Sequence, residues 1–267
     1  MDRGAEHTGK GIVLITIPGF DKVDFANRLH EATGGSIELV IIQKPKRRSV
    51  FASLKRLYRT MGFFGIPREL WYALVLRLSK KRTRALGYFR THSVSDTRSF
   101  VPEILETEDV NGEEAYAALS RIAPKLLVVW GSTLLTKQTL ATAERAINLH
   151  LGYCPHYRGA LANQHAVLKG ERDRIGATIH YINGRADAGD MLAVLAGDAS
   201  KKPRELFRDL NDRARETYVD IATRLHRGES IPVQRQGHLS GNTLLLREWT
   251  PHRRFRVCER ILRWEEE

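Results

Sequence analysis

The first part of the chain alternates short apolar runs with a helical pattern. Residues 12–17 form an apolar, β-branched run that stops at Pro18, which predicts a buried strand followed by a turn. Apolar positions in residues 21–33 have helical spacing, and a second apolar run covers residues 37–42. A strand–helix–strand opening of this kind predicts a parallel, doubly wound sheet.

Regular alternation resumes beyond residue 110. The predicted helices cover residues 112–122, 137–145, 161–169 and 203–227, and the predicted strands cover residues 125–130, 146–149 and 177–182. After Gly228 we find one strand candidate, residues 243–246. The pattern therefore predicts an α/β fold on a mostly parallel sheet, with one domain over residues 10–228 and a short C-terminal extension over residues 229–267.

A segment of different composition, residues 44–92, separates these two regions and is called the basic segment below. Residues 44–90 contain fourteen Lys and Arg against one acid, Glu69, whereas the whole chain has a net charge of +12. Helical patterns cover residues 49–59 and 67–84. The rest of the chain is thus close to neutral, and the positive charge belongs to a helical insertion.

Three interpretations of the basic segment remain open. Its apolar residues can dock on the sheet while its charges face water, or it can contact a phosphorylated acceptor or another anionic partner. Alternatively, residues 44–90 can make a peripheral contact with an anionic membrane surface. The run Leu70–Leu76 is apolar nearly all round, which favours burial over an amphipathic membrane face.

Composition limits the cellular setting. No apolar run approaches the ~18 residues of a membrane span, and the polar start of the chain lacks the apolar core of a signal peptide. Cys154 and Cys258 are the two cysteines and lie far apart, which is not the pattern of a disulfide framework. We therefore expect a cytoplasmic protein. No GxGxxG motif follows the first predicted strand, so the sequence gives little support to dinucleotide binding.

The candidate chemistry is concentrated in three residues. Asn148 and His150 end a predicted strand at spacing i, i+2, so their side chains point to the same side. Asp187 follows in a Gly-containing loop, and the carboxyl ends of strands are where open α/β sheets bind ligands. Such a trio can transfer a carbonyl-type group to an amine. The amide stabilises an oxyanion, the imidazole handles protons, and the carboxylate fixes the charge of the imidazole.

Four sequence blocks around these residues carry a family resemblance. They are residues 125–135, residues 147–159 (INLHLGYCPHYRG), residues 176–181 and residues 184–192. Asn-x-His, then Pro and Tyr-Arg-Gly, then Asp-x-Gly-Asp at these distances resembles the central motif of formyltransferases that use 10-formyltetrahydrofolate. That family includes methionyl-tRNA, glycinamide ribonucleotide and amino-sugar formyltransferases. The resemblance is close over residues 100–195 and loose over residues 10–43, and it implies the Rossmann-like fold of that family.

The resemblance implies a role for each candidate residue. Asn148 would bond the formyl oxygen, His150 would act as general acid and base, and Asp187 would be its partner. The folate would be held largely through backbone groups, by a loop at residues 131–135 and another at residues 182–187. The implied donor-binding residues are Thr133, Leu134, Leu135, Ile182, Asn183 and Asp187.

Some positions depart from the family pattern or have a second interpretation. Residue 186 is Ala where Leu or Ile is usual, and Cys154 stands where Leu is common. Cys154 near His150 could be a nucleophile, but acceptance by an amine needs none, so a packed thiol is favoured. Asp190 could be a second acid, although a buried carboxylate that caps backbone donors is favoured.

Three further histidines do not change the predicted chemistry. His156, His165 and His180 are scattered without the spacing of a metal site. We therefore predict ordinary surface or core histidines and no metal.

These observations predict an enzyme that forms an N-formyl amide on a small primary amine, with a nucleotide-linked amino sugar as the favoured acceptor. By the resemblance, the tRNA enzymes carry a sizeable C-terminal β-barrel, whereas fewer than 40 residues follow Gly228. A 10-formyltetrahydrofolate hydrolase would carry an N-terminal regulatory domain, for which we expect no room before Ile12. Both remain alternatives. A further alternative, of another class, is a protein that binds nucleic acid or an anionic surface on a degenerate formyltransferase scaffold. Nucleic acid is not a favoured partner, and a homodimer remains open.

Overall fold

The computed structural model describes residues 11–46, 50–90, 97–236 and 242–267. The predicted domain start at residue 10, and the parts of the basic segment at residues 47–49 and 91–92, lie outside the described residues. The strands are β1 Ile12–Thr16, β2 Ile37–Gln43, β3 Glu103–Thr107, β4 Leu126–Trp130, β5 Arg145–His150, β6 Tyr157–Gly159, β7 Gly176–Tyr181, β8 Met191–Ala196 and β9 Asn242–Leu244. The helices are α1 Phe20–Ala32, α2 Val50–Leu78, α3 Lys80–Gly87, α4 Glu113–Ile122, α5 Lys137–Leu140, α6 Ala162–Lys169, α7 Pro203–His226 and α8 Pro251–Glu266.

Seven strands form the central sheet in the order β3-β2-β1-β4-β5-β7-β8. The first five in this order run parallel, and β7 is antiparallel to both of its neighbours. A separate small sheet pairs β6 with β9 in parallel. The mostly parallel, doubly wound sheet predicted from the sequence is confirmed.

Strands β1 and β4, at the centre of the sheet, are apolar almost throughout because helices cover both faces of the sheet. Every residue of β1 and of β4 is buried. Ile12 and Leu14 face a core that includes side chains of α1, α6 and α7, whereas Val13 and Ile15 face a core that includes α4. Alternate residues of one strand therefore enter two different cores, as the strand geometry requires.

The order of the strands reverses between β1 and β4. In sequence β1 leads to β2 on one side, whereas β4 pairs with its other side. At such a switch point the loops after the two strands diverge and leave a crevice. The loop after β4 begins at Gly131 with a φ of 95°, and a Cβ there would lie 3.2 Å from the side chain of Ile17. Glycine therefore allows the two loops to approach closely at this crevice.

Helix α7 braces the strands that lead to the crevice. Its Tyr218 is fully buried and stacks on Phe25 of α1 with ring centroids 5.2 Å apart. The Tyr218 hydroxyl accepts from the N–H of Val129 at 3.0 Å and faces the carbonyls of Val129 and Ile147 at 2.8 and 3.0 Å. One side chain thus contacts the backbone of both β4 and β5 immediately before Asn148.

The predicted helix over residues 137–145 begins at the predicted residue, but its predicted end is wrong. Helix α5 contains one turn and ends at Leu140, and Arg145 already begins β5. The Thr142 hydroxyl bonds the carbonyl of Thr139 at 2.7 Å, while the backbone N of Glu144 bonds the carbonyl of Pro124 at 3.1 Å. Because the backbone here bonds the residues just before β4, the helical hydrogen bonds stop early.

Four elements were absent from the prediction: β3, β6, β8 and α8. The largest of them, α8, follows the N-cap Thr250, whose hydroxyl accepts from the backbone N of Arg253 at 3.3 Å. Its buried residues are Val257, Cys258, Ile261 and Trp264. They have helical spacing, but many charged residues surround them in the sequence, so the apolar pattern is narrow.

The basic segment contains α2 and α3. Gly62 interrupts α2 with non-helical angles (φ 67°, ψ 178°), and Ser79 separates α2 from α3. Both helices pack against α8, and Ala85 of α3 joins the main core. The segment is thus docked mainly on α8, not on the sheet.

The prediction that the run Leu70–Leu76 is buried is wrong. Leu70, Trp71 and Leu74 are 55%, 62% and 48% exposed. Among the described residues, no helix is long and apolar enough to cross a membrane.

Candidate active site

Two adjacent strands place the polar side chains of the site. Asn148 and His150 occupy alternate positions at the end of β5, so both point to one face. The antiparallel neighbour β7 pairs His180 with Asn148 and Thr178 with His150. The predicted strand-end location of Asn148 and His150 is therefore observed.

Asp187 lies at the centre of the site. Its Oδ2 accepts from the backbone N of Gly159 at 2.7 Å and lies 3.3 Å from His150 Nδ1. Its Oδ1 lies 3.2 Å from His180 Nε2 and accepts from Asn148 Nδ2 at 3.3 Å. The structure therefore brings together the three residues predicted from the sequence. Asp187 has a φ of 46°, a left-handed conformation that Asp and Asn tolerate better than other side chains.

His150 is held at both ring nitrogens. In addition to the Nδ1 contact with Asp187, its Nε2 lies 2.9 Å from the carbonyl oxygen of Tyr157. Both ring nitrogens therefore face oxygen atoms, and these two contacts fix the orientation of the ring. Gly152 makes room for the ring, since a Cβ at that position would lie 2.2 Å from His150 Nε2.

His180 is the site residue that the sequence analysis missed. It was predicted to be an ordinary histidine, but it is 2% exposed and its Nε2 also lies 3.2 Å from Asn148 Nδ2. Its Nδ1 lies 2.8 Å from the carbonyl oxygen of Tyr181. His180 reaches the site through the antiparallel pairing of its strand with the strand that carries Asn148, which the sequence alone does not show.

These contacts set the electrostatics of Asp187. Burial acts to raise the pKa of this carboxyl group, but it is outweighed by the charge of His150, the contacts with His180 and the hydrogen bond from Gly159. The net result is a pKa lowered from 3.8 to about 2. Asp187 is therefore a carboxylate throughout the neutral range.

Cys154 does not have the properties of a nucleophile. It is 2% exposed, and its Sγ lies 3.6 Å from the carbonyl oxygen of Asp187. Burial, with a smaller contribution from the Asp187 charge, raises the pKa of the thiol to about 12. A thiol that stays protonated at neutral pH agrees with the predicted packed role.

The remaining histidines and acids of this region lie apart. His156 is exposed beside Tyr153, and His165 packs against Trp249. Asp190 is half-buried and is not among the described residues that line the cleft. Within the described ranges, no three His, Cys, Asp or Glu residues are grouped as a metal site.

The site opens into a cleft of about 520 Å³ at the switch point. Its walls include Asn148, His150 and Asp187. Of the residues implied as donor-binding, the lining includes Thr133, Leu134, Leu135, Ile182 and Asp187. Asn183 instead shapes its loop, because its Nδ2 donates to the carbonyl of Ala188 at 3.0 Å and its Oδ1 accepts from the backbone N of Arg185 at 3.1 Å.

The loop after β4 is fixed by a residue that sequence reasoning did not identify. Gln43, at the end of β2, accepts from the backbone N of Thr133 at 2.8 Å and donates to the Thr133 hydroxyl at 3.1 Å. Both amide atoms of Gln43 are thus bonded to one loop residue. The first predicted donor-binding loop is therefore anchored to a neighbouring strand end.

Other lining residues of the cleft come from α1, α7 and the end of the basic segment. Lys22 of α1 lies over the ring of Trp130 and 3.2 Å from Asp21 Oδ2. Burial lowers its pKa to about 7, although the charge of Asp21 opposes this shift. Asn211 of α7 is 3% exposed, and its Nδ2 has no hydrogen-bond partner among the described residues. Phe89 also lines this cleft.

The charges of the cleft are uneven. Among the described residues that line it, Asp187 carries the single carboxylate, whereas Arg185 is cationic and Lys22, with a pKa of about 7, is partly so at neutral pH. Asp187 is itself engaged by two histidines. The arrangement favours an anionic ligand over a cationic one.

The fold and the site define an α/β protein with an amide–imidazole–carboxylate group at its switch-point cleft. The sequence profile of the formyl transferase family matches residues 75–222, which is more than half of the chain. The chain therefore belongs to the formyl transferase family. Asn148, His150, His180 and Asp187 all lie within the matched residues.

The methionyl-tRNA formyltransferase of Syntrophomonas wolfei is 27% identical to this chain over 163 residues. The aligned region covers 60% of this chain and 52% of that relative, so the chain spans about half its length.

Solved structures show the same fold. A likely sugar N-formyltransferase from Mycobacterium tuberculosis superposes with a TM-score of 0.55 and 16% identity, covering 89% of this chain and 76% of that chain. A sugar N-formyltransferase from a Shewanella species has the same TM-score and identity, and the corresponding shares are 92% and 87%.

Proposed function

We propose that this protein transfers a formyl group from 10-formyltetrahydrofolate to a primary amine of a small acceptor. The observation that carries the proposal is the shared carboxylate of Asp187, which lies within 3.3 Å of both Asn148 and His150 on the wall of the cleft. Membership of the formyl transferase family supports the same chemistry.

The cleft fits a folate donor in size and lining. Its volume of about 520 Å³ lies within the range of small-molecule sites. Two loops, residues 131–135 and 182–187, flank the polar site, and the exposed Leu134 offers an apolar surface. The donor, when bound between these loops, supplies an activated formyl group next to Asn148. In the structure of WlaRD, a sugar 3N-formyltransferase with a TM-score of 0.53, the named ligands are dTDP and 5-N-formyltetrahydrofolate.

The three side chains would divide the work by charge. Asp187 remains ionised and would offset the positive charge of His150 when the ring is protonated. His150 would serve as the proton donor and acceptor of the site, which requires the release of its Nε2 contact with the Tyr157 carbonyl. Asn148 would donate an N–H to the formyl oxygen, and such oxyanion donors are typically worth roughly 10²–10³ in rate. Its Nδ2 lies near His180 and Asp187, so this donation requires the exchange of one of these contacts.

We propose a nucleotide-linked amino sugar as the acceptor. Lys22, a mostly buried amine whose pKa is lowered to about 7, lies on the cleft wall, and Asn211 offers a buried N–H that no described residue bonds. Together they suit a polar, anionic small molecule, because an ammonium and an amide N–H both donate to phosphate or sugar oxygens. Methionyl-tRNA is the second candidate, since the relatives from Syntrophomonas wolfei and Lactiplantibacillus plantarum, 27% and 30% identical, are methionyl-tRNA formyltransferases.

We place the protein in the cytoplasm. Cys154 and Cys258 are both free and buried, as expected in a reducing compartment.

The test is incubation with 10-formyltetrahydrofolate and a panel of amino sugars, their nucleotides, amino acids and methionyl-tRNA. Mass spectrometry should detect the gain of one formyl group on a nucleotide-linked amino sugar, and Asp187→Asn should abolish this gain. Formylation of methionyl-tRNA alone would favour the second candidate. Release of formate without any acceptor would support a hydrolase. No product of any kind, together with no binding of 5-formyltetrahydrofolate, would contradict the proposal.

A further inference from the structure

The part of α2 beyond its kink, residues 67–78, has one face with clear partners. Glu69 is buried, and its Oε2 accepts from the backbone N of His252 at 2.8 Å, where α8 begins. Tyr72 stacks on His252 and contacts Phe255, with ring centroids 4.7 and 4.9 Å apart. These contacts fix which face of the helix points to α8. They also turn the only acid of residues 44–90 inward.

The opposite face is apolar and open to solvent. It consists of Leu70, Trp71, Leu74 and Leu78, which are 55%, 62%, 48% and 72% exposed. We call these four residues the apolar stripe. Their spacing of i, i+1, i+4 and i+8 places them on one side of the helix, opposite Glu69 and Tyr72. Large apolar side chains in one continuous row are typical of an interaction surface, whereas scattered single ones are not.

Exposed cations flank the stripe in the sequence. They are Arg68 and Arg77 on α2 and Lys80, Lys81 and Arg84 on α3. Lys81 lies 3.6 Å from Glu266 in an exposed pair, whereas Arg82 points inward to Glu259 at 2.9 Å. We call these five exposed cations the cationic rim. Because Arg68 also lies 3.2 Å from Glu69, the excess positive charge of the rim is carried mainly by Arg77, Lys80 and Arg84.

The stripe and its rim together fit one class of partner. A second copy of the chain would bring two positive rims together, which opposes association. A nucleic acid would bind the cations but would leave the row of leucines without a partner. The surface of an anionic membrane satisfies both features. Apolar side chains enter the boundary of the acyl chains, while Lys and Arg meet lipid phosphates.

We propose that the apolar stripe and its cationic rim bind membranes that contain anionic phospholipids, with residues 67–78 lying in the interface. At 1.5 Å per residue this helical part is roughly 18 Å long, too short to cross a hydrocarbon core of about 30 Å. The proposal stands apart from formyl transfer, since none of the stripe residues is among the described residues that line the cleft.

Sedimentation with vesicles tests the proposal directly. The whole protein should bind vesicles of phosphatidylglycerol and phosphatidylcholine, should bind pure phosphatidylcholine vesicles much more weakly, and should be released as NaCl is raised.

Tryptophan fluorescence gives a second readout. All four tryptophans lie in described parts of the chain, and Trp71 is exposed whereas Trp130 and Trp264 are buried. The fluorescence emission of Trp71 should shift to the blue when anionic vesicles are added.

Matched variants separate the stripe from general effects. Leu74→Glu and Trp71→Glu should each lower binding to anionic vesicles at least about tenfold, because a carboxylate resists the apolar boundary. Lys80→Gln and Lys81→Gln should each lower it about fivefold. Val101→Glu is the control, since Val101 is fully exposed and lies outside the basic segment, so it should not change binding.

Three outcomes would overturn the proposal. The first is no binding to anionic vesicles by a protein that still binds 5-formyltetrahydrofolate and melts cooperatively. The second is vesicle binding that Leu74→Glu leaves intact. The third is a stable dimer, or a complex with single-stranded RNA, that Leu74→Glu disrupts while vesicle binding is absent.

Discussion

The carboxyl end of β5 and the outer face of α2 differ in how their side chains are satisfied. At the end of β5, Asp187 and His150 are mostly buried, and both are bonded within the chain. On α2, Leu74 and Trp71 are large, apolar and about half exposed or more. The first region carries polar groups where water is scarce, and the second carries apolar groups where water is abundant.

The two regions differ in whether their side chains have partners before a ligand or another surface binds. Buried polar groups need internal partners, so their positions are fixed before any ligand arrives. An exposed apolar row gains free energy only when an external partner covers it. The family match begins at residue 75, so it includes the whole polar site but only part of α2. We therefore expect the chemistry of the polar site to be shared with the family, and the apolar stripe on α2 to be a property of this chain.

The largest effect should follow from removing the central charge. Asp187→Asn keeps the shape and tolerates the left-handed backbone, but it removes the anion that faces His150. We expect kcat to fall by roughly 10²–10⁴, the usual contribution of such acid–base groups, while the fold is retained. Steady-state kinetics and circular dichroism check both parts. Asp190→Asn is the matched control in the same loop and should be nearly normal.

The next effect tests whether the position of His150 matters as well as its presence. In Gly152→Ala the new Cβ would lie 2.2 Å from His150 Nε2 and 2.4 Å from Ala162 Cβ. We expect a loss of stability of about 1–3 kcal/mol from overpacking, and a fall in kcat of up to about a hundredfold from misplacement of the ring. Gly87→Ala is the control, since a Cβ there meets nothing within 4 Å. Equal kinetics of the two variants would refute this account of Gly152.

The Asp187 carboxylate should also be visible in stability. Its pKa is about 2 in the folded protein and 3.8 ordinarily, so the folded state binds the proton less tightly than the unfolded state. The resulting stabilisation, about 2 kcal/mol, is complete above the ordinary pKa and is lost as pH falls from about 4 to about 2. Urea unfolding of the wild type and Asp187→Asn should therefore converge as the pH is lowered. A difference that does not depend on pH would exclude this charge effect.

The smallest of these effects concerns Lys22. Lys22→Met should raise the KM of an anionic acceptor about tenfold with little change in kcat, because it removes a binding charge and no proton-transfer group. With a pKa of about 7, Lys22 loses its charge as pH rises. The KM of the wild type should therefore increase above neutral pH, and Lys22→Met should lack this increase. Lys44→Met, at an exposed pair with Glu106, is the control and should leave KM unchanged.

Much of the fold was predictable because it depends on local patterns. The buried strands β1 and β4 are short apolar runs, and α7 has a long helical pattern. The predicted helix over residues 137–145 ends at Leu140 instead. The backbone N of Glu144 bonds the carbonyl of Pro124, and local patterns do not show this contact between separate segments. Helix α8 was missed because its four buried residues lie among many charged ones.

The site was predictable to the extent that motif spacing encodes it. Asn148, His150 and Asp187 were found in this way, but His180 and Gln43 reach the site through pairing of strands that the sequence does not order. The exposed stripe was not predictable either. An apolar run such as Leu70–Leu76 is compatible with burial or exposure until the face that docks on α8 is known.

The central claim is that the Asp187 network performs formyl transfer independently of the α2 surface. The most direct measurement is formylation of a water-soluble acceptor by wild type, Asp187→Asn and Leu74→Glu, with labelled 10-formyltetrahydrofolate and detection of the label in the product. We expect Leu74→Glu to form product at the wild-type rate and Asp187→Asn to form almost none while still folding. Product formation by Asp187→Asn at a near-normal rate would contradict the account.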